Sequence, residues 1–349
     1  MSDAQPLPPR PDLAQYRALA KDLRQAAASG DPAAIRLWAR RWLDALARAL
    51  GPDHQTTLDE REREADRIAS RWKKRRAKHD AGAPCRLAHA QFFVAREHGF
   101  PSWPKFVAHV EALGDGKTAV AAFEAGVDAI VRGDLARLEA LLRDHPGLVH
   151  QRSTRDHRST LLHYVSANGV EGFRQRSPAS IVQIANLLLD AGADVDAESE
   201  AYGGGSTTLG LTATSIHPQL AGVQIPLLET LIGRGARIDR PGLAGNRHSA
   251  VWGCLANGQP EAAAFFADHG ARLSFEEAAG LGRLDALASF FDDSGALAPS
   301  VTAEQRSSAL RYGAGFGHTD VVRLLLEKGV EATAADRDGQ TALHWATFG

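Results

Sequence analysis

"GHTDVVRLLLEKGVEA", Gly317–Ala332, followed closely by "DRDGQTALHWAT", Asp336–Thr347, decides the fold. In the first stretch Val321, Val322, Leu325 and Leu326 recur at helical spacing, one apolar stripe on an otherwise charged helix. Gly329 stands just past the last turn, where a left-handed residue ends a helix. The same ending returns upstream. "LLDAGADVDA" stops at Gly192, "LIGRGARID" at Gly235, "FADHGARLS" at Gly270 and "FDDSGALAP" at Gly295. Counted from Gly147, the intervals are 45, 43, 35, 25 and 34 residues. A recurring unit of this size, close to a ~33-residue period in its last interval, points to a repeat array.

The other half of the unit is visible too. "DRDGQTALHWAT" follows the pattern Asp-x-x-Gly-x-Thr-Pro-Leu-His-x-Ala-Ala, with Ala342 in place of proline. "STLLHYVSANG", Ser159–Gly169, places Thr160, Leu162 and His163 in the same register, and "SAVWGCLANG" and "SALRYGAGFG" follow it more loosely. With these residues the chain resembles the ankyrin-repeat family over roughly its last two-thirds. The resemblance implies an all-α solenoid of two-helix units with projecting turns, or fingers, in which neighbouring units bury one another's apolar faces. It also implies a binding surface made of fingers and first helices, and a structural role for the signature histidines His163 and His344.

The uneven intervals trace to insertions. From the signature threonine position to the second helix, Ser308 to Val321 and Ser249 to Ala262 are each 13 residues. Thr207 to Leu227 is 20 and Thr160 to Ile184 is 24, so "HPQLAGVQ" and "VEGFRQRSPAS" lengthen the turn between the two helices. The unit at "FEEAAGLG" lacks a full finger. Pro178, Pro226 and Pro260 open second helices, where a missing N–H costs nothing. The N-terminal third carries no signature. It reads as helices started at Asp31-Pro32 and at Ser102 with Pro104, and resembles helical extensions that precede ankyrin arrays in some bacterial proteins. The expected organisation is a helical extension over 1–114, a "GDGK" linker, and an array over 118–349 of about six repeats plus a truncated last one. Because the chain stops inside that last repeat, the expectation is either a fragment or an end covered by something else.

Composition sets the other bounds. The 349 residues carry a net charge of −2 and are 44% hydrophobic, so bulk charge demands neither nucleic acid nor membrane. Cys85 and Cys254 have no metal or redox spacing. No stretch approaches the ~18 apolar residues of a membrane helix, and no apolar leader opens the chain. These features read as a soluble cytoplasmic protein. The basic run "RWKKRRAKH", Arg71–His79, follows "LDERERE", which reads as a salt-bridged helix rather than a phosphate surface.

No catalytic constellation, metal set or cofactor motif stands out. The expected function is recognition of a protein partner at the finger tips. The candidates are Arg155, Asp156, His157 and Arg158; Tyr202; Asn246, Arg247 and His248; and Arg337 with Asp338. A second expectation concerns "AYGGGSTTLG". Its Gly205, Thr207 and Leu209 align with the signature, but Thr208 and Gly210 replace proline and histidine. It lacks the lysine and strand of a phosphate loop. A weaker anion or small-molecule site is the alternative, built from Gly203, Gly204, Gly205, Ser206, Thr207 and Thr208, with His217 from the insertion. Tyr164 and Trp345, which both follow a signature histidine, are expected to pack between helices.

Overall fold

Short polar residues start most of the helices, and glycines end many of them. The computed structural model describes residues 3–31, 33–51, 56–79, 84–238 and 249–347. Among these, helix dominates, with one two-residue strand pair and one isolated bridge. The chain divides into two compact units: Met1–Tyr164 with Gly169–Arg176, and Val165–Asn168 with Ser177–Gly349.

Unit one contains α1 (Leu13–Ala28), α2 (Ala34–Leu50), α3 (Leu58–His79), α4 (Leu87–Glu97), α5 (Trp103–Asp115), α6 (Ala119–Arg132) and α7 (Leu135–Asp144). Asp12, Ser102, Thr118 and Asp134 each accept a backbone N–H of the helix they precede, which satisfies one orphan donor of the first turn. The core of α1–α5 is aromatic: Tyr16, Trp38, Trp42, Trp72, Phe93, Phe100 and Phe106 are all buried. His98 joins it, stacked on Phe106 at 5.2 Å with its Nδ1 2.9 Å from the Gln5 carbonyl. The charged helix α3 is laced to its neighbours by Arg40–Glu62, Arg61–Asp44 and a bidentate Arg71–Glu97 pair. Within the basic run, Arg71 is thus paired, Arg75 lies over the Phe92 ring at 4.3 Å and Arg76 meets His89.

The stretch read as a linker is a tight turn. Helix α5 runs to Asp115, Gly116 caps it in the left-handed region, and Thr118 starts α6 while its hydroxyl donates to the Ala112 carbonyl. The first compact unit therefore continues through α6 and α7, beyond the boundary at 114 expected from sequence.

Unit two is a succession of helix pairs: α8 (Ile181–Asp190), the strands β1 (Glu198–Ser199) and β2 (Ser206–Thr207), α9 (Thr208–Ala213), α10 (Ile216–Leu220), α11 (Gln224–Gly233), α12 (Ala250–Ala256), α13 (Pro260–Asp268), α14 (Phe275–Gly280), α15 (Leu284–Ala288), α16 (Ala303–Gly315), α17 (Thr319–Glu327) and α18 (Ala342–Ala346). First helices pack in order, α9 on α12, α12 on α14, α14 on α16 and α16 on α18. Second helices do likewise, α8 on α11 and α11 on α13. This two-layer stacking is the all-α array expected from the repeat. The glycines at 192, 235, 270 and 329 follow second helices with positive φ, as the pattern predicted.

Two glycines of the counted series play other parts. Gly147 lies in a 3-10 turn, Pro146–His150, after α7 has ended at Asp144. Gly295 sits in a turn closed by the Phe291–Leu297 bridge, because α15 ends at Ala288. The first helix expected at "LLHYVSA" is a 3-10 helix, Leu161–Ser166, and Ala167 after it has φ 49°. Of the three prolines, Pro260 opens its helix, Pro226 lies inside the first turn of α11 and Pro178 precedes α8 by a turn.

Candidate functional site

The finger at Ser153–Ser159 is closed by a backbone bond from Ser153 N–H to the Ser159 carbonyl. Its tip does not reach solvent as a whole. Arg155 and His157 are buried, at 2% and 3% exposure. The Arg155 guanidinium donates to the His98 carbonyl at 2.6 Å, pairs with Glu171, lies 3.7 Å from Glu124 and rests over the Phe100 ring. Asp156 receives Arg96, and its N–H donates to the Gly99 carbonyl. Arg158 alone of the four is exposed, with φ 51°. The expectation that Arg155 and His157 present themselves to a partner is corrected here. The finger docks on α4, the turn that follows it and, through Thr154 and His109, the middle of α5, all within unit one.

Sequence reading missed what that docking requires. Glu124 of α6, and Glu171 and Arg174 from the insertion, complete a buried charged cluster with Arg155. Burial pushes the Glu171 carboxyl up, but neighbouring Arg155, His157 and Arg174 outweigh it and hold it well below the usual range. Glu124 is lowered by the same contest, with Arg174 and Arg155 against burial. A signal was present: Glu124 lies between Phe123 and Val127 on the apolar face of α6, and the insertion carries two charges within four residues.

The finger at Glu198–Thr207 is built differently. Ser199 pairs with Ser206 across a two-residue antiparallel ladder. Tyr202, Gly203, Gly204 and Gly205 then follow with φ of 53°, 102°, 100° and 73°. Four consecutive left-handed residues explain the glycines, because only glycine takes such φ without strain. The hydroxyls are internal: Ser206 donates to the Ala201 carbonyl, Ser199 to the Ser206 carbonyl, and Thr207 accepts the Gly210 N–H to start α9. Tyr202, the one side chain in this left-handed run, is 59% exposed. Its hydroxyl donates to Asn168 Oδ1 at 2.6 Å, and Asn168 in turn donates to the Leu211 carbonyl and to Thr214. Asn168 thus ties the Tyr202 hydroxyl to the C-terminal end of α9, and Ile216 and Leu220 of α10 are exposed.

This geometry does not gather the expected anion site. A Cβ on Gly204 would lie 3.1 Å from a carboxylate oxygen of Glu200, so negative charge already faces that glycine. Ser206, Thr207 and Thr208 are buried, and only the Thr208 hydroxyl lacks a partner among the described residues. His217 is half-buried in α10.

Arg337 and Asp338 are exposed at a turn organised by Asp336, whose Oδ1 accepts the N–H groups of Asp338 and Gln340 at 2.9 Å. Asn246, Arg247 and His248 lie outside the described residues. The signature histidines His163 and His344 turn their Nδ1 onto Thr160 and Thr341 of their own repeats. Tyr164 is fully buried and Trp345 packs on Tyr312 at 5.5 Å, as expected. Among the described residues no group of three or more His, Cys, Asp or Glu could hold a metal ion. No helix there is long and apolar enough to cross a membrane. Unit one also carries a groove of about 1080 Å³ along α1 and α2, floored by Tyr16, Trp38 and Trp42 with exposed Leu37 at its edge.

Residues 308–349 match the family described as ankyrin repeats in many copies. Among solved structures, the human ASB11 ankyrin repeat domain is similar at 18% identity and a TM-score of 0.40, over 63% of this chain and 90% of that one. The ankyrin repeat domain of Bcl-3 is similar at 18% identity and a TM-score of 0.38, over 63% of this chain and 92% of that one.

Proposed function

We propose that this ankyrin-repeat protein recognises another protein through the fingers and first helices of unit two, with Tyr202 as the anchor. One observation carries the reading. A large aromatic side chain is left 59% exposed although its backbone is held at φ 53° and its hydroxyl is bonded to Asn168. A fixed, exposed tyrosine loses little conformational freedom when a partner covers it, and tyrosine is among the residue types enriched at binding hot spots. Exposed Ile216 and Leu220 add apolar area on the adjoining insertion, and Arg337 with Asp338 offer a polar rim at the last finger. The role proposed is recognition, with no bond made or broken.

Partner capture from the native host, followed by titration of the identified partner, tests this. Tyr202→Ala is expected to weaken binding by about 30-fold, roughly 2 kcal/mol, as hot-spot truncations do. Tyr202→Phe should retain most of the affinity, since the ring supplies the contact. Equal binding by wild type and Tyr202→Ala would move recognition to another surface.

A further inference from the structure

The groove of about 1080 Å³ in unit one is made from one face of each of two helices. Its lining recurs every three to four residues, from Gln15 to Ser29 on α1 and its cap and from Ala34 to Ala49 on α2, which is the spacing of a single helix face. At ~1.5 Å per residue each face runs about 21 Å, the length of a helix of about 14 residues. Trp38 Nε1 donates to the Leu19 carbonyl at 3.1 Å, so the two helices are tied together beneath the groove. Trp38 and Trp42 with Leu19 give it an apolar floor, and Ala18, Ala45 and Ala49 are exposed on its walls. Such small side chains let a further helix approach closely.

The walls differ in charge. Arg41 and Arg48 stand seven residues apart on the α2 side, so they share one edge, and Asp22 stands on the α1 side. All three are exposed, and none makes an ion pair or a side-chain hydrogen bond among the described residues. Asp31, at the end where the helices join, accepts the Ala33 N–H instead. Helix α2 shows on another face how it holds a charged helix. There Arg40 pairs with Glu62 of α3 at 2.7 Å and Arg36 pairs with Asp66, while Ala65, Ile68 and Trp72 of α3 are buried in the core. That seam joins an apolar stripe to carboxylates one turn apart. The groove has the same arginine edge and an apolar floor, but no carboxylate to meet them.

We propose that the groove receives an amphipathic α-helix of a partner protein, about four turns long, its apolar stripe on Leu19, Trp38 and Trp42 and two carboxylates, two turns apart, on Arg41 and Arg48. A basic residue on its other edge meets Asp22. The stripe supplies most of the affinity, as in other helix-in-groove complexes, and the charges set register and choice of partner. This surface stands in unit one and is independent of the recognition surface proposed for Tyr202.

Fluorescence anisotropy of the full chain with labelled peptides of about 15 residues tests the proposal. All share one leucine stripe and a lysine on one edge. The first has two glutamates, two turns apart, on the opposite edge. The second has lysines in their place, and the third is the first with a proline at its centre. The first is expected to bind, the second about tenfold more weakly, and the third not at all up to about 1 mM. Arg41→Glu with Arg48→Glu should make the second peptide the better ligand. Both positions are exposed, so circular dichroism should report an unchanged fold. No binding of the first peptide up to about 1 mM, equal binding of the first and second, full binding of the third, or a preference unaltered in the double variant would each overturn the assignment. Self-association of the chain that the double variant abolishes would overturn it too, and give the groove to a second copy.

Discussion

Two fingers of this chain place their tips in opposite ways. The one at Ser153–Ser159 turns Arg155 and His157 inward, where His98, Glu124 and Glu171 receive them. The one at Glu198–Thr207 is stitched by backbone and hydroxyl bonds and leaves Tyr202 outside. The first depends on charged side chains that must find partners once buried. The second depends on left-handed backbone, which glycine supplies with no partner at all. A finger tip therefore stays exposed only where nothing in its own unit has already claimed it.

The comparison can be broken most forcefully at Arg155. Arg155→Ala leaves the Glu171 and Glu124 carboxylates short of a buried cation and is expected to cost about 3–5 kcal/mol, read from the urea midpoint. Arg158→Ala, one exposed residue away from the same tip, should cost no more than about 0.5 kcal/mol. Similar midpoints for the two variants would show that buried charge does not hold this finger.

Acid should separate unit one from unit two. Burial lowers His98 to about 3 and His109 to about 4 from a usual 6.5, so the folded chain binds fewer protons than the unfolded chain between those values. Stability from this source is complete above about pH 6.5 and is lost as the pH falls, by about 2 kcal/mol per histidine at pH 5. The lowered Glu124 and Glu171 carboxyls contribute only below their usual 4.5, beneath that window. Urea midpoints at pH 7.5 and 5 measure the slope, and His98→Phe should remove about half of it. A slope that is unaltered in that variant would place its origin elsewhere.

The smallest effect is expected in the second finger. Gly203 has φ 102° and nothing within 4 Å of an added Cβ. Gly203→Ala thus strains only the backbone, and about 1 kcal/mol of stability should go. No change in the unfolding midpoint would mean that this turn tolerates another conformation.

Much of the array was legible in the residues. The stripe of Val321, Val322, Leu325 and Leu326 and the stop at Gly329 became α17 and its cap, because 3.6-residue spacing and left-handed glycine act locally. The 3-10 helix at Leu161–Ser166 and the turns at Gly147 and Gly295 were not legible, since neighbouring packing overrode a pattern that fits an α-helix as well. The candidate surface divided in the same way. Tyr202 was named as a finger-tip residue from the repeat register, and its ring is exposed in the structure. Arg155 was misplaced because its hydrogen-bond acceptor, the His98 carbonyl, lies 57 residues away.

The sequence by itself determined the repeat, its period, its insertions and its helical content, all properties of residues within one unit of chain. Only the tertiary structure decided which finger faces inward. Burial of a charge depends on whether an opposite charge and a carbonyl arrive from distant helices, and no spacing along the chain encodes that meeting.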